Sequence, residues 1–237
     1  MDNGSGRKRA QVRLLLLILA LLPFSSSAIE FEASVGRSEY CCKTDGIWWQ
    51  SPLGFEGDLR PTAFRLGIAQ EIGKGWHARA AFVDLGDATS SNWAVVPDDQ
   101  FQNPTTAELG RFMASQHVRG VELGVSYRWA LTSKIGVEPS VGQFFYRSQW
   151  RIAIYCPTLC AGNVPQEYWI FRYTSNTRRS PYVGATFSYG PAFVSLTRYQ
   201  HIDGGGDPEP DIARGQFATG LTSGPVTTWM VGARATF

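Results

Sequence analysis

The chain has no uninterrupted apolar run of the roughly 18 to 20 residues that a bilayer-spanning helix needs. The apolar stretch from Leu14 to Phe24 falls short of that. Any membrane crossing must therefore be made by strands. Charge is also sparse, at 18% of residues, against roughly a quarter in soluble domains. Histidine is limited to His77, His117 and His201. None of the three lies near a cysteine in sequence, so no His/Cys zinc spacing exists. No repeat array, low-complexity tract or second domain is present. No catalytic, cofactor-binding or metal-ligating set emerges, and no cofactor is expected.

The abundant residues are aromatics, at 13%, and glycine, with 25 copies. At the N-terminus, Arg7, Lys8, Arg9 and Arg13 precede the apolar core, and Ser26 and Ala28 precede Ile29. That pattern predicts a secretory signal peptide over 1–28, leaving 29–237 as one barrel domain. Its removal takes four of 22 basic and one of 20 acidic residues, turning the formal net charge from +2 to −1. The charge argument for a nucleic-acid partner goes with it.

The last twelve residues read VTTWMVGARATF. Thr227, Trp229, Val231, Ala233, Ala235 and Phe237 share one parity; Thr228, Met230, Gly232, Arg234 and Thr236 share the other. This period of two is that of a strand. Similar alternation predicts strands over Ile29–Tyr40, Ala63–Ile72, from Trp76, Arg119–Trp129, from Ile135, Pro181–Tyr189 and Ala192–His201. Pro139 interrupts the fifth, because it has no ladder donor. The eight segments are joined alternately by long and short connections. The long ones are expected at 41–60, 86–118, 148–178 and 202–225, with a short helix near Thr106 to Ser115. The expected fold is all-β: an eight-stranded antiparallel up-and-down transmembrane barrel with short periplasmic turns.

A secreted barrel with an apolar cavity would alternate too. Two features set the apolar face outward. The strand glycines Gly36, Gly67, Gly120, Gly124, Gly136, Gly142, Gly184 and Gly232 all fall on the polar parity, where a narrow lumen is crowded. Aromatics collect at strand ends: Trp76, Tyr127, Trp129, Tyr189 and Phe237 at one rim, Phe64, Phe82 and Phe145 towards the other. Headgroup girdles have this form. Arg65, Arg79, Arg128 and Arg234 then share the lumen with Glu30, Glu32, Glu71, Glu122 and Glu138. Charges there must pair to offset desolvation, which predicts a plug of side chains and no open pore.

Cys41, Cys42, Cys156 and Cys160 fall on outer connections, in an oxidising space. Cys156–Cys160 is the simplest bridge, and a cross-link between the two loops is its rival; spacing does not choose. The loops also hold Trp48, Trp49, Phe55, Trp93, Phe101, Phe112, Trp150, Tyr155, Tyr168 and Trp169. These rings either anchor contacts or pack the loops together.

The closing strand and terminal Phe237 resemble those of bacterial outer-membrane barrels, and residues 29–237 resemble the small OmpA-like and OmpX-like proteins. The resemblance implies a monomer in the outer membrane of a Gram-negative bacterium. It implies Phe237 as the mark read by the barrel-assembly machinery, and contact with outer-membrane lipids and lipopolysaccharide. It implies a structural role or binding of a surface ligand through the loops. Arg198 to Pro210, RYQHIDGGGDPEP, resembles the outer-membrane lipid A deacylases at His201, with Asp203 where that family has its serine. Lacking the hydroxyl, the segment lacks a nucleophile. A lipid-modifying enzyme and a narrow transporter of small apolar solutes are the alternatives.

Overall fold

A computed structural model describes residues 28–40, 55–56, 58–96, 108–156, 166–202 and 224–237. The predicted signal peptide before Ala28, Cys41, Cys42, Cys160, Trp48, Trp49, Phe101 and Asp203 lie outside the described residues, as does the side chain of Cys156.

Eight wall strands alternate in direction: β1 (Ile29–Tyr40), β2 (Thr62–Gly73), β3 (Trp76–Val96), β4 (Glu108–Tyr127), β5 (Ile135–Cys156), β6 (Arg178–Tyr189), β7 (Ala192–Ile202) and β8 (Gly224–Thr236). Each pairs antiparallel with its sequence neighbour, and β1 pairs with β8 from Glu30↔Thr236 to Tyr40↔Val226. The sheet therefore closes. It is an antiparallel up-and-down barrel, and closure leaves no wall edge unpaired, as a lipid-embedded sheet requires. Short segments at Phe55–Glu56, Trp129–Ala130 and Gln166–Thr174 pair with β3, β5 and β5 respectively.

Positive φ marks the tight turns. Lys74 and Gly75 take positive φ between β2 and β3, and Gly190 does so between β6 and β7. Pro139 has no N–H to give, and the β4–β5 ladder breaks there: Ser126↔Ser140 is followed by Trp129↔Val137. The freed Arg128 donates its backbone N–H to Gly75 O at 2.8 Å instead.

Three strands are far longer than the roughly 9 to 11 residues that cross a bilayer. β3, β4 and β5 have 21, 20 and 22 residues. The segments expected as connections, 86–118 and 148–178, are largely strand, and the helix expected near Thr106 to Ser115 is strand from Glu108 onward. The cause lies in the polarity pattern. Lower on β4, Val121, Leu123 and Val125 point outward and are exposed. Higher up, the inward residues Gln116 and Val118 are buried, while the outward His117 and Arg119 are polar. On β5 the same change comes after Phe145: Arg147 and Gln149 point out, and Tyr146, Ser148 and Trp150 point in. Below the change the outside is apolar; above it the outside is polar. A β-bulge adds a second disguise on β3. Register shifts between Asp84 and Asp87, so the facing parity slips by one. Gly86 takes φ 78° there, and a Cβ would strike the Thr62 carbonyl.

Candidate functional site

The lower lumen is a cage of charge. Inward parity on β1 to β5 and β8 brings Glu30, Glu32, Arg65, Arg79, Glu122, Glu138 and Arg234 together, joined by Arg128 from the break beyond β4. Arg65 Nε lies 2.9 Å from Glu122 and its Nη1 3.2 Å from Glu32. Arg79 pairs with Glu32, and reaches Glu138 Oε1 at 3.1 Å. Arg128 grips Glu30 with two bonds of 2.7 Å and reaches Glu138 at 3.0 Å. Arg234 Nη1 lies 3.1 Å from Glu138 Oε2, and its guanidinium lies 5.3 Å from the Phe193 ring centroid. Glu138 thus meets three arginines while 1% exposed, and Ser126 Oγ also donates to it at 2.6 Å. Four guanidiniums face four carboxylates, so the cage is formally neutral. Glu71, the ninth charge expected in the lumen, stands apart. It is exposed below the cage, where it accepts the Gly75 N–H at 3.0 Å, because the chain is already turning there.

An aromatic layer covers the cage. Phe144 stacks on Tyr146 at 5.4 Å and touches Tyr199 at 4.8 Å; Tyr182 lies 6.1 Å from Tyr199. Tyr199 donates its hydroxyl to Glu122 Oε1 at 2.5 Å, tying the two layers together. Tyr182 fits only because Gly124 and Gly142 face each other beneath it. A Cβ on Gly124 would strike the Tyr182 hydroxyl, and one on Gly142 would come 2.8 Å from its ring. Val83, Leu85, Val118, Tyr40, Ile202 and Val226 continue the apolar filling. Tyr146 and Tyr182 fall on the lumen parity of their strands, but parity alone does not reveal that they form a layer. Phe144 was legible too, by simple parity from Glu138.

At the β3 bulge, His117 sits between two carboxylates, with Nε2 3.0 Å from Asp84 Oδ2 and Nδ1 2.8 Å from Asp87 Oδ1. Tyr40 is buried beside this group. His201, the candidate of the deacylase-like reading, is exposed near the end of β7, and its backbone N–H donates to Ser180 Oγ at 3.1 Å. Among the described residues, no hydrogen bond joins its ring to a base or an orienting group, as an acyl-transfer site requires.

The outer wall is apolar. Trp76, Trp129, Tyr189, Phe187, Trp229 and Val231 are all exposed, Val231 by 62%. Phe237 is 80% exposed, donates its N–H to Ile29 O at 3.1 Å and meets the Phe31 ring edge-on at 5.5 Å. A shallow apolar concavity of about 980 Å³ opens on this wall between Phe31, Leu66, Phe82 and Phe237, where Ala33, Ala80 and Ala235 leave room. Buried charge inside and bare aliphatic and aromatic surface outside is the reverse of a soluble protein. It is the arrangement of an outer-membrane barrel.

Among the aromatics expected on loops, Phe55, Trp93, Phe112, Trp150, Tyr155, Tyr168 and Trp169 lie on strand segments instead. Trp150 is buried inside the barrel. The physical reason is the extension of β3, β4 and β5 beyond the apolar belt.

No family model matches the chain, and no curated protein matches it. Solved structures similar to it include Ail, the attachment invasion locus protein of Yersinia pestis. That match has 14% identity over 89% of this chain and 97% of that one, with a TM-score of 0.42. Ail in complex with the heparin analogue sucrose octasulfate matches at 15% identity over 89% and 97%, with a TM-score of 0.39. Neisserial surface protein A matches at 11% identity over 90% and 98%, with a TM-score of 0.34. The architecture rests on the strand pairing described above.

Proposed function

We propose that this chain is a closed scaffold of the outer membrane that presents its loops at the cell surface to bind a ligand there. The observation that carries the reading is the filled lumen, a neutral ionic cage under an aromatic layer. An eight-stranded barrel has just enough interior for side chains, and here side chains occupy it. A solid barrel of this kind can anchor loops but offers no water-filled path. In this reading residues 1–28 are the exported leader and 29–237 the monomeric barrel. Phe237 is recognised by the barrel-assembly machinery, and bilayer lipids and lipopolysaccharide surround the wall. Bridges among Cys41, Cys42, Cys156 and Cys160 would hold the outer loops.

Two measurements test it. In planar bilayers the folded protein is expected to show no steady single-channel current. In cells, shortening the segments 41–54 and 203–223 to tight turns should leave the heat-modifiable barrel in the membrane fraction while abolishing its adhesion to host-cell surfaces. Large steady conductance, or adhesion unchanged by loop removal, would sink the proposal.

A further inference from the structure

Beneath the ionic cage, at the rim of short turns, the lumen opens into a cavity of about 410 Å³. Glu30, Arg128, Arg234 and Thr236 line it from the barrel, and Ser133 and Lys134 from the turn between β4 and β5. Thr236 shares the inward parity of Arg234, so the cavity lies inside the ring of strands and not on the lipid-facing wall. Its sides are pinned. Gly190 donates its N–H to Lys134 O at 2.8 Å, and Arg234 donates its backbone N–H to Pro191 O at 2.8 Å. The β4–β5 turn, the β6–β7 turn and β8 are thereby tied together. A cavity held open this way is formed before any ligand arrives, as small-molecule sites usually are.

The bonding capacity left over here is mostly of one kind. A guanidinium carries five N–H groups. Three of those on Arg128 go to Glu30 and Glu138, and two remain, on a side chain 23% exposed. Both Glu30 oxygens already accept from Arg128, and Arg234 stands 3.6 Å away. Arg234 also keeps Nε and Nη2 without a hydrogen-bond partner; both are buried, so they add field and not contacts. Among the described residues the Lys134 ammonium, exposed at the rim, has no ion pair. Thr132 Oγ1 accepts the backbone N–H groups of Lys134 and Ile135, at 3.2 and 3.0 Å, which leaves its O–H to give. The carboxylates in reach, Glu30 and Glu138, are outnumbered by Arg128, Arg234 and Lys134. Cationic donors without free acceptors are matched by an anion with more than one oxygen.

We infer that this cavity binds the free carboxylate end of a short peptide. A carboxylate set between Arg128 and Lys134, with the Thr132 and Ser133 hydroxyls beside it, takes up the donors that the barrel leaves unused. The space is far larger than a lone phosphate or acetate fills, so the ligand brings more than a charge. Ala130, Ile135 and Pro191 complete the lining with apolar surface, which suits aliphatic side chains. A lipid does not fit, because its acyl chains would have to leave the wall. The inference goes beyond the loop-binding reading, since it concerns the opposite end of the barrel. In the outer-membrane orientation that end faces the periplasm, and peptides of that compartment are the ligands.

The test uses the full-length folded barrel in phosphatidylcholine nanodiscs, titrated with N-acetyl-trialanine that ends in a free carboxylate or in an amide. Amide chemical shifts of Ser133 and Gly190 report occupancy. The acid is expected to bind about tenfold more tightly than the amide, as a charge-assisted contact allows, and the difference should shrink as salt rises. Lys134→Gln should lose most of that preference, and Lys74→Gln, on the β2–β3 turn, should keep it. If a variant does not fold, the acid–amide comparison and the salt series on wild type decide. Equal affinity for acid and amide would overturn the site, as would shifts confined to other residues or equal loss in both variants. Inorganic phosphate bound as tightly as the acid would overturn the peptide. Nanodiscs leave both rims open, so these outcomes do not depend on how the barrel sits in the cell, and failure to insert into them would instead overturn the outer-membrane reading.

Discussion

Glu138 shows how much one buried carboxylate can decide. It serves Arg79, Arg128 and Arg234 at once, so Glu138→Gln leaves three buried cations short of one negative charge. Uncompensated buried charge costs about 3 to 5 kcal/mol. We expect urea unfolding in lipid vesicles to shift by that order, while Glu71→Gln, at the exposed turn, changes it by well under 1 kcal/mol. A second residue-scale prediction concerns the space under Tyr182. Gly124→Ala should destabilise by roughly 1 to 3 kcal/mol through overpacking, and Tyr182→Phe should recover part of it. Additive losses in the double-mutant cycle would refute the contact. Much of the cage was legible before the structure, because parity along each strand assigns Glu30, Glu32, Arg65, Arg79, Glu122, Arg128, Glu138 and Arg234 to one face. Which arginine meets which glutamate was not legible. That depends on shear between strands far apart in sequence, as in Arg128 with Glu30.

Strands carried the opposite lesson. The alternation of β4 reads clearly only from Arg119 downward, since above it the apolar parity moves from the outward to the inward side. A reader following one parity sees the pattern dissolve, and so takes 86–118 for a connection. The strand has in fact passed from lipid to water. β5 offers a direct check, because Gln143 and Gln149 share its outward parity on opposite sides of this border. Gln143 lies between Val141 and Phe145 and opposite Leu123. Gln143→Leu should stabilise the barrel by about 1 kcal/mol, by removing an amide from hydrocarbon. Gln149→Leu should give no gain. Equal effects in vesicle-based unfolding would place the border elsewhere.

For the molecule as a whole, the lumen is closed twice, and the two closures differ in kind. The lower depends on charge pairing and the upper on packed rings, linked through Tyr199 and Glu122. Weakening one layer leaves the other in place. Arg79→Ala/Glu138→Ala removes a cation and an anion together, so the cage stays neutral and the aromatic layer still excludes ions. Phe144→Ala/Tyr199→Ala opens the upper layer above an intact cage. Neither pair should conduct. The four substitutions combined should produce steady single-channel current, because the side chains removed from the ionic cage and from the ring layer above it open both closures of the lumen at once. If the aromatic pair alone conducts, the cage is permeable to ions and the scaffold reading gives way to that of a gated pore. If the quadruple variant stays silent while retaining its heat-modifiable fold, a third closure lies above Val83 and Val118, in the apolar filling that reaches Tyr40 and Ile202.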